Sequence, residues 1–158
     1  VKREKSNRRI WRELKEAGRR THVELERRAG ISAPPCLRGV RALEETGFIQ
    51  GYHAEVDAQA LGYNVTVFAM VGLASQAEHD LRAFEARAAE WPEVRECHMV
   101  AGEMDFLLKI VSHSWDEYQK FLTTELTVAE NVNHVKSALS IRTAKNMPGV
   151  PIDIDVED

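Results

Sequence analysis

Arg38 and Arg41 stand three residues apart in a stretch whose apolar residues, Cys36, Val40 and Leu43, recur at helical spacing. On a helix that spacing sends both guanidinium groups to the side opposite the apolar stripe, where their forked donors suit base edges and phosphate oxygens. Ser32 and Ala33 lead the same helix. Arg19, Arg20, Arg27 and Arg28 lie around the helix before it, placed to hold backbone phosphates without reading sequence. The partner this set suggests is double-stranded DNA. Arginines on short helices are also commonly solvated or paired with glutamates, and Glu24, Glu44 and Glu45 are at hand for that.

Other reactive side chains are less organised. Cys97 and His98 are neighbours in a stretch that alternates like a strand, so they point to opposite faces and do not form a nucleophile–base pair. Cys36 falls on the inward stripe of its helix. The six histidines show no metal-ligand spacing. The expectation is a protein that is not an enzyme, with no catalytic residue, no cofactor and no metal. Two cysteines allow at most one disulfide, and reduced thiols are expected.

The charge distribution agrees with a polyanion-binding module. The 158 residues carry a net charge of −4, but residues 1–52 hold 13 Lys/Arg against 7 Asp/Glu, or +6, and residues 53–158 hold −10. With 44% apolar residues the chain suits one or two globular domains and excludes collagenous, low-complexity and disulfide-stapled classes. No apolar run approaches a membrane span and no cleaved-leader pattern opens the sequence, so the expected compartment is the cytoplasm.

Helices must position the arginines. Ile10, Leu14 and Ala17 mark a first helix, with Ser6 or Asn7 as its cap and Gly18 after its end. Thr21-His22-Val23-Glu24 is a capping box that opens a second helix, which carries Leu25 and Ala29 and stops at Gly30. Ser32 caps the third, whose first turn tolerates Pro34 and Pro35, and which ends at Thr46-Gly47. Two helices joined tightly through Gly30-Ile31 form a helix-turn-helix. Phe48 to Val56 reads as a strand, either a wing or an interdomain linker, and Asp57 to Tyr63 as a connector.

The acidic part reads βαββαβ, with two helices on one face of a four-stranded sheet. Strands are expected at Val65–Leu73, Val94–Ala101, Asp105–Val111 and about Val132–Thr143. The two middle ones form a hairpin through Gly102-Glu103-Met104. Leu81, Phe84, Ala88 and Trp91 mark one helix, and a capping box at Ser114 opens the other. Val65–Leu73 has no polar side, so the second face of the sheet is expected to be covered by a homodimer partner. The tail from Asn146 to Asp158 reads as extended, crossing to a partner or mobile.

These residues carry a resemblance over nearly the whole chain. His22-Val23-Glu24-Leu25 through Gly30-Ile31-Ser32, Pro35-Cys36-Leu37, Val40-Arg41-Ala42-Leu43-Glu44 and Gly47-Phe48-Ile49-Gln50-Gly51-Tyr52 resemble the Lrp/AsnC (feast/famine) family of prokaryotic transcription regulators. Glu96 to Gly102 and Asp105 to Lys109 are similar to its signature hairpin. The resemblance implies an α+β protein: a winged helix-turn-helix (1–52), a linker (53–63), a ferredoxin-like ligand-sensing domain (64–145) and a tail (146–158). It implies a sequence-specific DNA-binding regulator whose affinity or assembly responds to an amino acid or related metabolite, built from dimers that assemble to octamers. The other reading is an architectural DNA-binding protein with no effector.

The family's effector position carries over to Val100, Gly102 and Asp105. A glycine there admits close backbone approach, and a carboxylate beside it can accept from an ammonium group. The same residues equally suit a plain hairpin turn and the start of a strand. Three positions depart from the family pattern: Glu26 for alanine, Gly39 for a basic residue and Met104 for an aromatic one.

Overall fold

The computed structural model describes residues 2–154, with side chains from residue 5. By contact the chain divides into two compact units. One is the chain up to Glu55 together with the returning segment from Lys145, and the other is Val56–Ala144.

The first unit packs α1 (Lys2–Glu16), α2 (His22–Ala29) and α3 (Ala33–Glu45) around Ile10, Leu14, Leu25, Ala29, Cys36, Val40 and Leu43. Helix α1 starts at Lys2, not at a Ser6 or Asn7 cap, because the good helix formers around those two residues carry the helix through them. Gly18 is not a left-handed stop. Its missing side chain instead admits the Tyr52 ring, whose Cδ1 would lie 3.2 Å from a Cβ there.

Gly30 does take the left-handed conformation, at φ 66°, and the amides of Gly30 and Ile31 both bond to the Glu26 carbonyl, 3.0 and 3.2 Å away. That closure sets the turn between α2 and α3. The capping box at Thr21 is complete: its Oγ1 accepts from the Glu24 amide at 3.3 Å and its amide donates to Glu24 Oε2 at 2.9 Å. The backbone and hydroxyl bonds from Thr21, then Arg20 and Arg28, hold the Glu24 carboxyl below its ordinary value of 4.5. A depressed carboxyl stabilises the fold above its unfolded pKa, and that contribution is lost as the pH falls through the folded value. Thr21→Ala is expected to cost about 1 kcal/mol at neutral pH. Urea unfolding will read it as a lower midpoint, with the deficit shrinking below pH 4.5.

Two expectations for this unit are corrected. Phe48–Val56 forms no strand, because no partner strand lies beside it among the described residues. Phe48 instead packs on Trp11 with ring centroids 5.1 Å apart, the Ile49 amide bonds to the Leu43 carbonyl, and Tyr52 donates to Glu44 at 2.8 Å. The tail, as far as it is described, does not hang free. Lys15 Nζ donates to the Val150 carbonyl at 3.1 Å and Arg8 to that of Asp153 at 3.2 Å, while Ile152 is half-buried. Residues 155–158 of the expected tail lie outside the described residues.

The second unit contains β1 (Val65–Leu73), α4 (Glu78–Glu90), β2 (Val94–Met99), β3 (Phe106–Ser112), α5 (Trp115–Phe121) with a following π-turn (Leu122–Leu126), and β4 (Val132–Leu139). Strand order is β2-β3-β1-β4, antiparallel throughout, which is the ferredoxin-like βαββαβ arrangement. Alternation puts Val67, Ala69, Val71, Phe106, Leu108 and Ile110 against Phe84, Ala88 and Trp91 of α4 and Tyr118, Phe121 and Leu126. Strand β2 is two residues shorter than expected and β3 is shifted by one, since residues 100–105 leave the ladder, and β4 ends at Leu139, opposite Val67, with the Ser140 amide still bonding to the Thr66 carbonyl.

The capping box at Ser114 is only half made. Ser114 Oγ accepts from the Glu117 amide at 3.1 Å, but the Glu117 carboxylate turns to His113, meeting its amide at 3.1 Å and its Nδ1 at 2.9 Å.

The uncovered face of the sheet is less apolar than β1 alone suggests. Phe68 and Met70 are exposed there, but they pair across β1 with Lys109 and Lys136. Exposed apolar residues flanked by charged ones suit an interface with an apolar centre and a polar rim.

Candidate nucleic-acid interface and effector hairpin

Helix α3 presents Ser32, Ala33, Arg38 and Arg41 to solvent. Ser32 is the N-cap but its side chain makes no capping bond, which leaves the hydroxyl available. Neither arginine has an ion pair among the described residues, and the same holds for the exposed Arg19, Arg27 and Arg28. Unpaired arginines concentrated on one unit are the electrostatic condition for phosphate binding.

Arg20 departs from the expected set. Its Nε donates to the Glu13 carbonyl at 3.1 Å and lies 3.4 Å from the Glu13 carboxylate, and its side chain is 14% exposed. Glu13 is buried, and a buried carboxylate requires a cation beside it. Arg20 is therefore a structural residue. The sequence held the signal, because Glu13 falls on the Ile10–Leu14–Ala17 stripe of α1. Arg9 is a second structural cation, donating to the Ala29 carbonyl at 3.4 Å where α2 ends.

One departure from the family pattern acquires a physical reason. A Cβ at Gly39 would lie 2.9 Å from Ile10 Cδ1, so Gly39 lets the buried Ile10 of α1 pack against α3. Glu26 is half-buried, and it adds to burial in pushing the Cys36 thiol up. Cys36 thus stays protonated in the core. Tyr52, linked to α3 through Glu44, is pushed up to about 12 by partial desolvation and by that hydrogen bond, and remains a donor.

In the hairpin of the second unit, Val100 is half-buried and its amide bonds to the Asp105 carbonyl at 2.9 Å. Gly102 is exposed at φ 143°, and a Cβ on it would meet nothing within 4 Å, so only backbone conformation requires glycine there. Asp105 lies just before β3 rather than starting it. Its Oδ2 accepts from the Leu73 amide at 2.7 Å and from Gln76 Nε2 at 3.4 Å, while its own amide bonds to the Val71 carbonyl. The carboxylate thus fastens the hairpin base to the end of β1, and Oδ1 has no hydrogen bond among the described residues. Met104 is buried and belongs to the packing of the turn.

These two uses of Asp105 separate by mutation. Asp105→Ala strands the Leu73 amide and is expected to cost about 1–3 kcal/mol in thermal unfolding. Asp105→Asn keeps an acceptor and most of that stability but removes the charge that an ammonium group needs. Stability retained with effector binding lost marks the ligand role.

Cys97 pairs in register with Leu108 and His98 with Leu107, so the two side chains take opposite faces of the sheet. Although Cys97 is exposed, partial desolvation of its thiol and then Glu85 raise it, which leaves less thiolate to act as a nucleophile. Among the described residues no group of three or more His, Cys, Asp or Glu side chains is arranged to hold a metal, and no helix is long and apolar enough to cross a membrane.

Comparison with known proteins decides the family. The winged helix-turn-helix DNA-binding profile matches residues 3–50, and the Lrp/AsnC ligand-binding domain profile matches residues 66–150. The chain belongs to the Lrp/AsnC family. Among Lrp/AsnC relatives, the leucine-responsive regulatory protein of Rhizobium meliloti is 53% identical over 143 residues, covering 90% of this chain and 92% of its own. The Bkd operon transcriptional regulator of Pseudomonas aeruginosa is 36% identical over 143 residues, with 90% and 94% covered. A transcriptional regulator from Neisseria meningitidis, solved as a complex with L-Met, has a TM-score of 0.89 at 28% identity, covering 94% of this chain and 96% of its own. An AsnC-family regulator from Agrobacterium tumefaciens gives 0.89 at 28% identity, with 96% and 98% covered. This Lrp/AsnC chain is a DNA-binding transcription regulator with a winged helix-turn-helix and a ligand-binding domain.

Proposed function

We propose that α3 enters the major groove of an operator and reads base edges with Arg38 and Arg41, aided by Ser32 and Ala33, while Arg19, Arg27 and Arg28 hold the flanking phosphates. The observation that carries this reading is the exposed, unpaired state of those five arginines in a segment whose net charge is +6. Arg20 is left out because Glu13 engages it.

The regulator responds to an amino acid or a close metabolite held at Val100, Gly102 and Asp105. Gly102 offers backbone without a side chain in the way, and Asp105 offers one carboxylate oxygen for an ammonium group. The Neisseria relative bound to L-Met supports an amino acid as the class. The active species is a homodimer closed through the uncovered sheet face, assembling to an octamer and working in the cytoplasm.

A thermal-shift screen of the amino acids, run alongside sedimentation, tests the sensing half. At least one amino acid is expected to raise the unfolding midpoint of the wild type and to do so less for Asp105→Asn. No shift with any of them removes the sensing role and leaves the architectural reading.

A further inference from the structure

We propose that the DNA-binding unit carries a second small-molecule site, for an apolar carboxylate, in the cleft bounded by α1, Phe48–Tyr52 and Gly149–Ile152. The site is separate from the hairpin and stands whether or not an effector binds there. Three observations support it.

The cleft holds about 540 Å³, within the range of small-ligand pockets. Its lining is mainly apolar, including Trp11, Leu14, Phe48, Ile49, Tyr52 and Ile152. Phe48 and Tyr52 remain exposed although they pack on α1 and α3, so the segment after the recognition helix keeps apolar surface to offer.

The charged side chains that line the cleft, Arg8 and Lys15, are cations. Lys15 lines it, and of its three N–H donors the one bond formed among the described residues goes to a neutral carbonyl, that of Val150. An apolar body with one anionic head satisfies such a site, whereas a cation or a polar sugar does not.

The cation is also held in place. A Cβ on Gly149 would lie 3.3 Å from both Cγ and Cδ of Lys15, so the Lys15 stem lies directly over the backbone of the returning segment. Closing the cleft with a C-terminal segment thereby fixes the ammonium beside it.

Titration calorimetry of the full chain with octanoate, and with octanol as the uncharged control, tests the site. Octanoate is expected to bind, octanol about tenfold more weakly, and Lys15→Glu to weaken octanoate about tenfold. Absence of octanoate binding at millimolar concentration overturns the proposal. So do equal affinities for octanoate and octanol, or Lys15→Glu binding as tightly as wild type. A change of oligomeric mass in Lys15→Glu without octanoate binding to the wild type would assign the cleft to contact between copies of this chain instead, and overturns it too.

Discussion

Arg38→Ala and Arg41→Ala are each expected to weaken operator binding by about 1–3 kcal/mol, or roughly 5- to 150-fold, and to relax base preference at the positions they read. The magnitude follows from geometry. Both guanidinium groups are exposed on one face of α3 and neither is spent on a protein carboxylate, so neither must leave a partner to reach DNA. Arg27→Ala and Arg28→Ala act differently: a lost phosphate contact weakens all duplexes alike and lowers the salt slope by about 1. Arg20→Ala is expected to lower stability first, because it strands the buried Glu13. The control is Arg82→Ala, an exposed residue whose carboxylate partners Glu78 and Glu85 lie on its own helix. Arg87 is a poor control, since it joins Glu125 and Glu90 and covers the Trp91 ring at 5.1 Å. Anisotropy titrations with labelled duplexes over a range of salt separate these classes.

Met70→Lys is expected to split the proposed dimer. Met70 sits at the centre of the uncovered sheet face, with Leu107 beside it on β3 and Lys136 opposite on β4. A sheet-on-sheet interface buries this position against its own copy, so the new ammonium would be dehydrated beside an existing one with no carboxylate in its row. A buried, unpaired charge costs on the order of 3–5 kcal/mol, enough to raise the dimer dissociation constant a hundredfold or more. Sedimentation at micromolar concentration will read half the wild-type mass or less. Circular dichroism of the variant is expected to stay native, because the substitution touches no core residue. Unchanged mass would place the dimer contact elsewhere.

Where the sequence was legible, local chemistry decided the structure. Thr21 and Glu24 form the capping box their spacing announces, and Gly30 ends α2 in the left-handed conformation. Alternation in β3 separates Phe106, Leu108 and Ile110 from Leu107 and Lys109. Where it was not, a residue served a partner remote in the chain. Asp105 reads as a candidate ligand, and its structural use goes unseen because the Leu73 amide it accepts from is 32 residues away. The returning segment reads only as extended, crossing to a partner or mobile, because its acceptors are carbonyls, which leave no mark in sequence, and the donors are Lys15 and Arg8, 135 and 145 residues distant. Phe48–Val56 has the residues of a strand, yet a strand also needs a neighbour, and periodicity does not report one.

The departures from the family pattern bear on how the DNA unit is built. Gly39 removes one basic side chain from α3, and the structure uses the space for Ile10. The unit therefore gains close packing between α1 and α3 at some cost in helix propensity, roughly 1 kcal/mol relative to alanine. Base reading is left to Arg38 and Arg41.

The central claim is that this chain binds a particular DNA sequence and that an amino acid changes that binding. The direct test is to let the full chain select duplexes from a random pool and to titrate the enriched duplex, and an unrelated one, with and without each amino acid at constant salt. The account predicts an enriched site with two symmetric halves, at least tenfold tighter binding to it than to unrelated DNA, and a change of about fivefold or more with at least one amino acid. Equal affinity for enriched and unrelated duplexes, unmoved by every amino acid, would contradict it.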